Sequence, residues 1–234
     1  MLVAPHVAAN GWSLTCLEPD ASMASLCRHN LEKSSGVEVL EVGFEEYVDG
    51  PRAHDPPALV FAAQSWHWVD PTRRCDLVAD LLAPGGTLGL IWNVSHQPDA
   101  DLQAQIDAAY GKAVPDNLPW QPPRCGRGPS AGSAGSDRSA GRRLLGEDMV
   151  DYRRELDASG RFGQVELAER PWTRRYTTSQ WLSLLSTHSN HRLLDEETLA
   201  AVLERIGAVV DKTGGELTIE YTAVALLTRS LVPA

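Results

Sequence analysis

The chain has 234 residues, 43% of them apolar and 22% charged, which suffices for one α/β domain with a buried core. Its formal net charge of −10 argues against a nucleic-acid groove, which needs clustered Lys and Arg. No apolar run approaches the roughly 20 residues of a membrane span.

The opening MLVAPHVAANGW lacks the basic flank and long apolar core of a signal peptide. Cys16, Cys27, Cys75 and Cys125 are scattered and form no CxxC pair. A reduced, cytoplasmic protein is expected.

Residues 2–9 read as the tail of a helix stopped by Asn10-Gly11. Residues 13–18 form a short strand that ends on the acid Glu18. Asp20 caps a helix with Met23, Leu26, Cys27 and Leu31 on one face, closed near Gly36. A second strand covers 37–42, and Pro51, Pro56 and Pro57 mark a loop. The unbroken apolar run ALVFAA, 58–63, predicts a strand covered on both faces. Pro71 opens a helix carrying Leu77, Leu81 and Leu82. Pro84-Gly85-Gly86 breaks it, and 87–93 is another buried strand.

Strands alternating with helices in this way predict a parallel, doubly covered sheet. The pattern then changes. Residues 99–113 read as a helix, and 115–143, rich in Pro, Gly and Ser, as a flexible surface excursion. A helix covers 147–159 and a strand 164–169. Thr177 and Gln180 have capping-box spacing before a helix that runs through Leu185. Asp195 starts a long helix with Leu199, Val202, Leu203, Ile206 and Val210 inward, ended by Gly214-Gly215. A long strand over 216–228 closes the chain, and the two late strands are candidates for antiparallel pairing at a sheet edge.

Four pieces line up in order: LTCLEPD, VEVLEVGFEEY, ALVFAAQSWHWVDP and DLLAPGGTLGLIWN. Together they resemble class I S-adenosylmethionine-dependent methyltransferases, in the small-molecule, trans-aconitate methyltransferase-like branch. WTRRYTTSQWLSLLSTHS and GELTIEYTAVALLTR extend the resemblance over nearly the whole chain. The resemblance implies a single Rossmann-like α/β domain over 1–234. Its parts would be a cofactor-side half at 1–97, a helical and loop excursion at 98–160, and C-terminal strands and helices at 161–234. The implied sheet has seven strands in the order 3-2-1-4-5-7-6, the seventh antiparallel. Strands two to seven are recognisable. Strand one and its glycine-rich loop are expected to be missing, since no GxGxG pattern precedes Glu18.

The resemblance also implies a cofactor, S-adenosylmethionine, and places residues around it. Glu18, at a strand's carboxyl end, would accept hydrogen bonds from both ribose hydroxyls. Gly43 and Phe44 would flank the adenine, with Glu45 or Glu46 as weaker substitutes for a missing side-chain acceptor. Gln64 would follow the fourth strand in the ligand crevice. Trp66 and Trp68 would wall off a substrate, and His67 would serve as general base. A carboxylate acceptor would need no base at all.

Other matches carry less. Gly128–Gly132 fits GxSxG but sits in low-complexity sequence without the strand and helix a nucleophile elbow needs. His188 and His191 have helical spacing but no third ligand, so no metal is expected. The partner would be a small-molecule methyl acceptor, with no nucleic acid and no membrane. Two alternatives stand beside this reading. One is a methyltransferase-like chain that has lost cofactor binding with its first strand. The other is a nicotinamide-dependent oxidoreductase, whose ribose Glu18 would also suit.

Overall fold

A computed structural model describes residues 10–51, 55–115, 146–188 and 191–231, with the backbone alone for 146–150. The helix tail expected at 2–9, most of the excursion expected at 115–143, Cys125 and the GxSxG match lie outside the described residues.

The elements are β1 (Leu14–Leu17), α1 (Ala21–Leu31), β2 (Val37–Leu40), α2 (Phe44–Asp49), β3 (Leu59–Ala63), α3 (Arg74–Leu81), β4 (Thr87–His96), α4 (Ala100–Ala113), α5 (Gly146–Ser159), β5 (Glu166–Thr177), α6 (Thr178–Leu185), α7 (Glu196–Lys212) and β6 (Glu216–Arg229). β1 and β2 form a parallel pair, and β3, β4, β6 and β5 form a four-stranded sheet in that order. β3 and β4 are parallel. The Ser230 N–H donates to the Gly86 carbonyl while Gly89 faces Leu227, so β6 runs antiparallel to β4. Trp172 meets Tyr221 and Arg175 meets Glu216, the opposite sense expected of an antiparallel β5–β6 pair.

This order is 3-2 and 4-5-7-6 in the numbering the resemblance implies. Among the described residues no ladder joins β1 to β3, the interval where strand one would lie.

The chain forms two compact units. One takes in the described residues of Met1–Trp92, Asp151–Ala168 and Ala225–Ala234; the other takes in those of Asn93–Val150 and Glu169–Val224. β4, β5 and β6 each contribute to both. In the first unit, Cys27 and Leu31 of α1 pack on Leu14, Cys16, Val37 and Val39. Val48, Leu77 and Leu81 form a second cluster with Phe44, Tyr47 and Val60. The second unit is built around α4 and α7, whose Ile106, Val202, Ile206 and Val210 are buried with Trp181 of α6 and Ile219 of β6.

Local signals decide most helix starts. The Asp20 carboxylate accepts the Met23 N–H at 2.8 Å, Asp195 caps α7 through the Thr198 N–H, and Thr177 with Gln180 closes a capping box on α6. Gly85 has φ +68°, and a Cβ on Gly86 would sit 2.8 Å from the Ala83 carbonyl oxygen, so both glycines serve the turn.

Three expectations need correction. Met23 and Leu26 are 43% and 48% exposed; Ala24, not they, joins Cys27 and Leu31 in the core. The stripe is one residue narrower than its spacing suggested. β3 is half-buried rather than enclosed, because among the described residues it has a ladder partner on one side only. The strand expected at 164–169 extends to Thr177 through Pro171, which a strand at the sheet edge accommodates because an outward position needs no N–H.

Candidate active site

The seven residues singled out in the sequence all belong to the first unit. β1 and β2 are in register from Leu14↔Val37 to Leu17↔Leu40, and the Glu18 N–H donates to the Leu40 carbonyl at 3.0 Å. Glu18 therefore leaves its strand beside the chain that leads into Gly43 and Phe44. One carboxylate oxygen accepts the Asp20 N–H at 3.1 Å, which orients the half-buried side chain at the start of α1.

Gly43 is the extended N-cap of α2, and a Cβ added there would meet nothing within 4 Å. Phe44 is half-buried, one side on the Val48, Leu77 and Leu81 cluster. α2 itself is an element the sequence did not disclose. The Glu45 carboxylate accepts the backbone N–H of Asp70 at 2.8 Å, so α2 holds the chain that follows β3. Glu45 is thereby engaged in structure.

That chain begins with Gln64, whose φ of +58° is the sole positive value outside glycine among the described residues. A residue with a side chain pays for this conformation, and such outliers cluster at ligand-binding turns. The Gln64 N–H donates to Ile91 of β4 at 2.8 Å. Trp66–Trp68 then forms one turn of 3₁₀ helix, closed by the Trp68 N–H on the Ser65 carbonyl at 3.0 Å.

The turn separates its aromatic residues. Trp66 is 2% exposed, a core residue whose indole N–H has no hydrogen-bond partner. Trp68 is 71% exposed. Of the two tryptophans expected to face a substrate, only Trp68 reaches the surface. The His67 ring lies 4.8 Å from that of Trp68, tilted by 44°. Partial burial, and secondarily the Arg74 cation, hold the His67 pKa below its ordinary value, so the ring is neutral at pH 7.

Sequence reasoning missed the residue beneath this turn. Arg74, 6% exposed, donates to the Trp66 carbonyl at 2.8 Å and pairs with Glu155 of α5. Its position in PTRRCD resembles an ordinary basic helix start, and only a contact 81 residues distant distinguishes it.

Among the described residues, no group of three His, Cys, Asp or Glu side chains is placed to hold a metal ion. No helix among them is long and apolar enough to cross a membrane.

The fold finds its counterpart in a solved protein. A proposed type II methyltransferase from Anaeromyxobacter dehalogenans superposes over 95% of this chain and 82% of its own, with TM-score 0.53 and 16% identity. The fold is that of the class I methyltransferases. Uncharacterized methyltransferases of Mycobacterium tuberculosis and Mycobacterium bovis are each 62% identical to this methyltransferase-like chain over 87 residues, 37% of its length. The chain spans 33% of the length of these curated relatives. No family model matches the sequence.

Proposed function

We propose that this chain takes part in S-adenosylmethionine-dependent methyl transfer to a small-molecule acceptor, within one methyltransferase-like domain over 1–234 in a reduced, cytoplasmic setting. The observation that carries the reading is the placement of Glu18, Gly43-Phe44 and Gln64 just past the carboxyl ends of β1, β2 and β3. Open α/β sheets bind nucleotide-like ligands at those ends.

The residues fit such a ligand. The Glu18 carboxylate uses one oxygen on Asp20 and presents acceptor capacity for ribose hydroxyls. Open space beside Gly43 admits a flat base, with the half-buried Phe44 next to it. S-adenosylmethionine supplies a methyl group on a sulfonium, and the exposed Trp68 ring offers a π face to cations. His67, neutral at pH 7, accepts a proton on its free imidazole nitrogen when the acceptor is a hydroxyl or phenol. For a carboxylate acceptor that step falls away, and alignment with exclusion of water is what remains.

A second reading is that the chain keeps the fold and binds the cofactor only weakly. That no ladder joins β1 to β3 among the described residues supports it, since strand edges without a ladder there leave the middle of the site without backbone support.

Thermal unfolding with added ligand tests both. S-adenosylhomocysteine at millimolar concentration should raise the midpoint, while NAD leaves it unchanged. Stabilisation by NAD alone would favour an oxidoreductase.

A further inference from the structure

The surroundings of Arg74 are unusual for a residue outside the ligand turn. Its guanidinium carbon lies 4.9 Å from the Trp66 ring centroid and 5.4 Å from that of Tyr152. Tyr152 in turn stacks on Trp92 of β4, 5.0 Å away and 7° from parallel. In the plane of the fork, Nε and Nη2 donate to the two oxygens of Glu155 at 2.5 Å each. Nη1 alone points away from Glu155, and it donates to the Trp66 carbonyl at 2.8 Å. All three guanidinium nitrogens donate and two aromatic rings lie within 5.4 Å of the cation, an arrangement a lysine could not reproduce.

The turn needs such support. Gln64 is held at φ +58°, a conformation that persists only where surrounding contacts over-determine it. From one side α2 grips the turn's exit through Glu45 and the Asp70 N–H. From beneath, Arg74 grips its middle at the Trp66 carbonyl. Glu155, 81 positions after Arg74, fixes the rotamer of Arg74 and brings in α5.

We infer that Arg74 is a positioning residue: its fork, set by Glu155, fixes the Trp66 carbonyl and thereby holds the Gln64–Trp68 turn in the shape that receives a ligand. The inference rests on the proposed cofactor reading for its purpose, but not for its geometry. Arg74 touches no reacting atom; it acts through the backbone of the turn.

Amide hydrogen exchange on the full chain separates positioning from mere packing. The Gln64, Trp68 and Val69 N–H groups are each hydrogen-bonded to backbone carbonyls and report on the turn directly. In Arg74→Lys and in Glu155→Gln, exchange at these amides should quicken at least about tenfold, while amides of α1 keep wild-type protection. Affinity for S-adenosylhomocysteine should fall about tenfold in parallel. Glu155→Gln keeps the shape of a partly exposed side chain and serves where Arg74→Lys does not fold. Should the wild type not bind S-adenosylhomocysteine, the cofactor reading fails, and exchange at the three amides still decides the role of Arg74. Wild-type exchange in a folded variant would overturn the inference. So would a failure of both variants to fold, which would make the pair a requirement of the core instead.

Discussion

The Glu45 carboxylate and the Asp70 backbone N–H, 25 residues apart in sequence, are joined by a 2.8 Å hydrogen bond that ties the first turn of α2 to the exit of the 3₁₀ turn. Asp70 meanwhile accepts the Thr72 N–H and hydroxyl at 2.8 and 2.7 Å, ordering the start of α3. Replacing Glu45 by Ala strands a partly buried donor. The expected loss is about 1–3 kcal/mol in urea denaturation, with a smaller loss for Glu45→Gln, which keeps an acceptor. Equal stability of all three proteins would show that the bond contributes nothing.

Glu18 carries the ribose end of the proposed site. Glu18→Ala should weaken S-adenosylhomocysteine binding by roughly 1.5–3 kcal/mol in calorimetry, the range for hydrogen bonds to a charged group. An unchanged dissociation constant would remove Glu18 from the site.

His191 makes the second unit sensitive to acid. The ring is fully buried and shares a 2.8 Å hydrogen bond through Nε2 with the Tyr110 hydroxyl. Burial, helped by neighbouring His188, pushes its pKa down to about 4. The unfolded chain takes up this proton near pH 6.5 and the folded chain only near pH 4, so the unfolded state binds more protons between those values. Stability from this group is therefore fully present above pH 6.5 and falls by about 3 kcal/mol as the pH drops to 4. The difference in urea midpoint between wild type and His191→Gln, followed across that window, should shrink as the pH falls. A constant difference would contradict the assignment.

The described thiols are poor nucleophiles. Burial and then the nearby Glu155 carboxylate push Cys75 up to about 12, and burial with the Cys27 neighbour pushes Cys16 up to about 11. Iodoacetamide at pH 8 should leave both unmodified in the native protein and label both in urea, as read by peptide mass spectrometry. Rapid native labelling of Cys75 would show that the α3–α5 contact opens.

What the sequence discloses and what it hides divides along physical range. The caps at Asp20, Thr177 and Asp195 were readable because each bond closes within three residues. Helical periodicity set Leu199, Val202, Leu203, Ile206 and Val210 inward; Val202, Ile206 and Val210 are fully buried, while Leu199 and Leu203 are partly buried against the same cluster. The strand order, with β6 inserted between β4 and β5, was available only through the resemblance, since ladder partners far apart in sequence leave no local trace.

The positions of the candidate site residues were legible in outline, and their supports were hidden. Glu18, Gly43, Phe44 and Gln64 could be placed at strand ends from the alternation of strands and helices. The fates of Trp66 and Trp68 could not: two residues apart in a 3₁₀ turn, one enters the core and the other leaves it. α2 was hidden because GFEEYVD has too few residues to show a helical period. Arg74 was hidden because its burial depends on Glu155 and Tyr152, which arrive with α5.

The central claim, that a cofactor site centres on the ends of β1, β2 and β3, is tested most directly by titrating ¹⁵N-labelled protein with S-adenosylhomocysteine and following backbone amide shifts. The account predicts saturable shifts at Glu18, Gly43, Phe44 and Gln64, at concentrations above the micromolar range, and no comparable shifts with NAD. Stationary signals at all four positions up to millimolar S-adenosylhomocysteine, or equal shifts with NAD, would contradict it.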